Sequence, residues 1–157
     1  MGLTGTVVGA ILNERIAARA HRRAVESDHR AWLRSKYDYA ADALGNLLEV
    51  LEVDPSMVIE FGEDQSDAVE IWLGWINRLN EVLKDLRVLR AHPNDDVAES
   101  ARTLLAQTVR LQSDTLNYRV GPGDITRTDL VSRWGVVSEN AESLLHALRL
   151  SAHDPPK

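Results

Sequence analysis

The stretch Leu33-Arg34-Ser35-Lys36-Tyr37-Asp38-Tyr39-Ala40-Ala41-Asp42-Ala43-Leu44-Gly45-Asn46-Leu47-Leu48-Glu49-Val50-Leu51 decides the fold. Its apolar residues Leu33, Tyr37, Ala40, Leu44, Leu47 and Leu51 recur at steps of four and three, the period that lines one face of an α-helix. The same beat returns in Ala68, Trp72, Trp75, Leu79, Val82, Leu86 and Leu89, and again in Leu130, Trp134, Val137, Ala141, Leu144 and Leu148. A fourth seam, Val97, Ala101, Leu104, Thr108, Leu111, Thr115 and Tyr118, carries hydroxyls where its siblings carry aliphatics.

Turn chemistry separates the four segments. Asp54-Pro55 stops the first at about Val53, because a proline disfavours helical geometry in the residue before it. His92-Pro93 ends the second, whose start is capped by Ser66 or Asp67. Asn94 or Asp95 opens the third, and Gly121-Pro122-Gly123 breaks it after about Arg119. Thr126 or Thr128 opens the fourth, which runs to about Ser151. Short links force neighbouring helices antiparallel. The pattern predicts an all-α protein, an up-down-up-down antiparallel four-helix bundle with an extended N-terminal helix. Its expected division is an apolar start and charged stalk over 1–31, a bundle over 32–152 and a disordered tail over 153–157.

The first helix begins near Thr4, yet its large apolar face stops at Leu33. Continued backwards, the register meets Arg30, Glu26, Arg23 and Arg19. A different seam takes over, Ala17, Ala20, Ala24, Ser27 and Ala31, made of small residues that let helix backbones approach closely. It is the expected interaction face, for a second copy or for a helical partner; the alternative is that alanine, the best helix former, simply fills a solvated stalk. The opening of the second helix, Ile71-Trp72-Leu73-Gly74-Trp75-Ile76, is apolar on every side and is expected to be buried by more than one neighbour. The long Glu52–Gln65 connection holds Met57, Val58, Ile59 and the single phenylalanine, Phe61, expected either to cap one end of the core or to meet a partner.

A chain of 157 residues with 44% apolar and 27% charged side chains is one ordinary domain's worth of globular protein. No cysteine is present, which removes disulfides and thiolate chemistry and agrees with a reducing cytoplasm. A net charge of −6 speaks against nucleic acid as a partner. The charge is uneven, however: Arg15, Arg19, Arg22, Arg23 and Arg30 crowd the start. They follow Met1 to Leu12, a segment without a charged side chain and shorter than the roughly 20 residues that span a bilayer. Arginines directly after an apolar segment are the pattern of a cytoplasmic membrane flank, so the segment reads either as a shortened anchor lying on or in the membrane or as a helix start whose apolar face docks on protein. Gly5 and Gly9 form a GxxxG pair suited to close helix contact there, so Gly5, Gly9, Arg15, Arg19, Arg22 and Arg23 are the expected membrane-proximal residues.

Chemistry is sparsely signalled. A carboxylate-bridged metal pair in a bundle needs two Glu-x-x-His units, and only Glu26 with His29 has that spacing, in the charged stretch. No phosphate loop, nucleophile elbow or triad is legible, so the sequence gives no catalytic, cofactor or metal residue. The competing reading is a small-molecule or metal-binding bundle using Thr108, Gln112 and Thr115, beside Trp72, Trp75 and Trp134. Threonines inside helices, however, commonly satisfy themselves on the preceding turn.

Residues 1 to 50, with the segment Arg30-Ala31-Trp32-Leu33-Arg34-Ser35-Lys36-Tyr37-Asp38-Tyr39, resemble a loose group of uncharacterised actinobacterial proteins. These combine a Gly/Ala/Val-rich membrane helix with an Arg/Glu-rich juxtamembrane helix. The resemblance implies a helical cytoplasmic domain at the inner face of the plasma membrane and brings no activity with it. The expected function is therefore a non-enzymatic interaction or scaffold module, close to a membrane and self-associating through the first helix.

Overall fold

A computed structural model describes the backbone of residues 3–59, 65–120 and 125–153, and the side chains of residues 17–59, 68–119 and 125–151. Within them lie five helices and no strand: α1 Leu3–Leu51, α2 Pro55–Ile59, α3 Gln65–Leu89, α4 Asp95–Val120 and α5 Arg127–His153. The chain divides into two compact units, Met1–Ser35 and Lys36–Lys157. Residues of α1 belong to both.

In the larger unit every expected seam is the buried one. Tyr37, Ala40, Leu44, Leu47 and Leu51 of α1 join Leu79 and Leu86 of α3, Leu104 and Leu111 of α4, and Val137 and Leu148 of α5 in one cluster. Each such leucine contributes roughly 1.5–3 kcal/mol by leaving water. Packing pairs α3 with α4 and α4 with α5. Asn140 Nδ2 donates to Gln107 Oε1 at 2.9 Å, and Arg133 pairs with Asp114. A step of seven residues up α4 thus matches seven down α5, so these two helices run antiparallel.

Helix boundaries follow their caps. Asn94 Oδ1 accepts from the backbone N–H groups of Asp96 and Val97 at 2.9 and 3.2 Å, which ties down the first turn of α4. At α5, Thr126 and Asp129 cap reciprocally: Thr126 Oγ1 accepts from Asp129 N, while Asp129 Oδ2 accepts from Thr126 N at 2.9 Å. The Thr126 donors hold the Asp129 carboxyl below its ordinary value.

The structure departs from the sequence reading at three points. The 52–65 connection contains a fifth helix, α2, because Pro55 suits a first helical position and Asp54 accepts from the Ser56 amide and hydroxyl at 2.8 and 2.7 Å. Those donors hold Asp54 below the usual carboxylate range. Of the residues expected to cap the core, Val58 and Ile59 are buried, whereas Met57 is 52% exposed. The start of α3 is not enclosed all round, since Trp75 is buried while Ile71 and Leu73 are 37% and 45% exposed. The α5 helix runs through His153, and residues 154–157 of the expected tail lie outside the described residues.

Candidate functional site

The described part of the smaller unit is a helix with a bare surface. From Ala17 to Ser35 every side chain is exposed except Leu33, which is half-buried. The buried register of α1 begins at Tyr37 and does not continue into these residues. Alanine and arginine, both good helix formers, sustain the helix without burial. Ser35 Oγ donates to the Trp32 carbonyl at 2.7 Å where the register changes.

Two lines of side chains run along this stretch. Ala17, Ala20, Ala24, Ser27 and Ala31 form the small-residue seam, all exposed. Arg23, Ser27, Arg30 and Arg34, at steps of four, three and four, form a second line that adjoins the first at Ser27. Around it lies a groove of about 360 Å³ lined by Arg23, Glu26, Ser27, Arg30, Ala31 and Arg34. Arg19 and Arg22 are exposed on the same helix. Val25 and Trp32 are 52% and 47% exposed, and the Trp32 ring stacks on His29 at 5.8 Å. Residues 1–35 hold six arginines against three acidic side chains, a net of +3. Residues 36–157 hold twelve basic against twenty-one acidic ones, a net of −9.

Of the residues singled out in the sequence, Ala17, Ala20, Ala24, Ala31, Arg19, Arg22 and Arg23 thus share one exposed stretch of α1. Met57 is exposed on α2. The side chains of Gly5, Gly9, Arg15 and Phe61 lie outside the described residues. Arg30 and Arg34 complete the arginine line, and their 4-3-4 spacing with Arg23 was readable in the sequence.

The threonine face of α4 is occupied by its own helix. Thr108 Oγ1 donates to the Leu104 carbonyl and Thr115 Oγ1 to the Leu111 carbonyl, both at 2.8 Å, and both residues are fully buried. Gln112 Nε2 donates to Asn80 Oδ1 of α3 at 2.9 Å. The tryptophans build packing: Trp75 and Trp134 stack at 5.1 Å, and Trp134 Nε1 donates to the Leu51 carbonyl at 2.9 Å, closing the end of α1. The Arg119 guanidinium lies 4.7 Å from the Trp72 ring and donates to the Val58 carbonyl at 3.0 Å. Burial there pulls it below its ordinary value. Sequence reasoning missed this contact and the part-buried Asp114–Arg133 pair, because neither follows a helical period.

Among the described residues, the histidines do not converge. His92 accepts from the Asn94 amide on Nδ1 at 3.1 Å and meets Tyr37 edge-on at 4.9 Å. Burial is the main force holding its imidazole below the ordinary value, and the nearby Lys36 charge adds to it. His146 is exposed on α5. Among the described residues, no group of three or more His, Cys, Asp or Glu side chains is placed to hold a metal ion. Among them, too, no helix is long and apolar enough to cross a membrane. No protein-family model, curated protein or solved structure matches this chain.

Proposed function

We propose that this chain is a non-enzymatic helical interaction module, held close to a membrane surface and self-associating through the N-terminal stretch of α1. In this reading residues 36–51 of α1 with α3, α4 and α5 form an up-down-up-down four-helix bundle. The antiparallel run of α4 and α5 supports that arrangement. The single observation that carries the proposal is the exposure of Ala17 to Ala31 on a helix whose own continuation is buried from Tyr37 onward. Small residues at 3-4-3-4 spacing let two helix backbones approach closely, which supports pairing through this stretch. The absence of cysteine, the apolar start followed by arginines, and the resemblance of residues 1 to 50 to the actinobacterial group support a place at the inner face of the plasma membrane.

Light scattering tests the self-association. The expected mass exceeds that of one 17.5 kDa chain and falls to it in the Ala20→Glu/Ala24→Glu variant, whose substitutions sit at exposed positions. A chain that stays monomeric with and without lipid vesicles removes the proposal.

A further inference from the structure

We infer that the arginine line of α1 is a binding surface for anionic lipid headgroups, with Arg23, Arg30 and Arg34 as its contacts. The inference rests on the membrane-proximal reading above and gives it a chemistry. Arg23, Arg30, Arg34 and Ser27 line one groove of about 360 Å³. A guanidinium presents a planar fork of donors that matches the oxygens of a phosphate and stays charged at any physiological pH. From Arg23 to Arg34 the line covers roughly 16 Å of helix, enough to meet more than one headgroup. Ser27 and Ala31 are among its lining residues, and such short side chains let the helix axis come close to a flat surface. Glu26 lies at the edge of the groove and subtracts one charge, leaving an excess of two around it.

The setting favours a lipid surface over a nucleic acid. No ion pair within 4 Å occupies Arg23, Arg30 or Arg34 among the described residues, so their charge is available to a partner. In the sequence the same helix begins with residues 3–12, which carry no charged side chain. An apolar segment followed by a basic helix is suited to the boundary between acyl chains and headgroups. It has no counterpart in a purely polar phosphate backbone. The −9 carried by residues 36–157 also opposes the broad charge neutralisation that nucleic acid binding requires.

The test is cosedimentation of the full chain with vesicles of phosphatidylcholine alone and of phosphatidylcholine mixed with phosphatidylglycerol. The expected result is pelleting with the anionic vesicles, little with the neutral ones, and loss of pelleting as salt is raised. In the Arg23→Gln/Arg30→Gln/Arg34→Gln variant, affinity for anionic vesicles falls on the order of 100-fold, from about fivefold per arginine near such a surface. Circular dichroism and light scattering without lipid stay unchanged, because all three side chains are exposed. Equal pelleting with both vesicle types, or a variant that binds as the unaltered chain does, overturns the inference. So does salt-sensitive retention on single-stranded DNA without vesicle binding. A chain that associates with itself but ignores anionic vesicles sinks this inference and leaves self-association standing. A strict monomer that binds them through these arginines upholds the inference and sinks self-association.

Discussion

Trp75 and Trp134 share one stacked contact, 5.1 Å between ring centroids and 22° between planes, but only one of them is hydrogen-bonded. Trp134 Nε1 donates to the carbonyl of Leu51, the last residue of α1, whereas Trp75 Nε1 is buried with no hydrogen-bond partner among the described residues. Replacing either by phenylalanine removes comparable stacking, about 0.5–1.5 kcal/mol. Trp134→Phe also strands a buried carbonyl, a loss of roughly 1–3 kcal/mol. Trp75→Phe instead removes a desolvated donor and recovers part of its cost. The expected destabilisation is thus about 3 kcal/mol for Trp134→Phe and about 1 kcal/mol for Trp75→Phe. Urea unfolding followed by circular dichroism, with equal slopes for both variants, measures the gap. In thermal unfolding it amounts to roughly 4–8 °C for a chain of this size. Equal losses, or a larger one for Trp75→Phe, refute the assignment of Trp134 as the clamp on the end of α1.

Three other outcomes follow from the same structure. A Cβ built on Gly45, Gly74 or Gly135 meets nothing within 4 Å, and all three lie inside helices. Alanine at each position is therefore expected to raise stability by about 0.5–1 kcal/mol in denaturant unfolding, and a loss at any of them contradicts the local packing. Asn94→Ala and Thr126→Ala each remove an N-cap and are expected to lower stability by about 1 kcal/mol, read in the same assay. His92 is held below the ordinary histidine value of about 6.5, so the unfolded chain binds more protons than the folded one at mildly acid pH. Its contribution is present above that value and is lost as pH falls through it toward the folded-state value. Stability measured down this range should drop, and His92→Gln should flatten the drop; an unchanged slope in the variant rejects the assignment.

The body of the fold was legible because burial obeys the helical period. Leu44, Leu79, Leu111 and Leu148 all sit where the 4-3 spacing places them, and Asn94 and Thr126 cap where their side chains announce it. Pattern misled where a segment was too short or too rich to show a face. Five residues of α2 make barely more than one turn, and the run Ile71 to Ile76 hides which of its apolar residues face inward. The Asp114–Arg133 and Arg119–Trp72 contacts join distant helices and needed the tertiary structure. The candidate surface was legible as a break in register between Ala31 and Leu33, since alanines and arginines replace leucines on an unbroken helix. What such a surface binds is a matter of chemistry outside the chain.

Hydrogen exchange along α1, followed as the protein is concentrated, tests the central claim most directly. Amides of residues 17–31 should exchange fast in dilute solution and gain protection with concentration, while those of residues 37–51, buried in the core, stay protected throughout. Protection over residues 17–31 that is independent of concentration, whether high or low, contradicts self-association through this stretch.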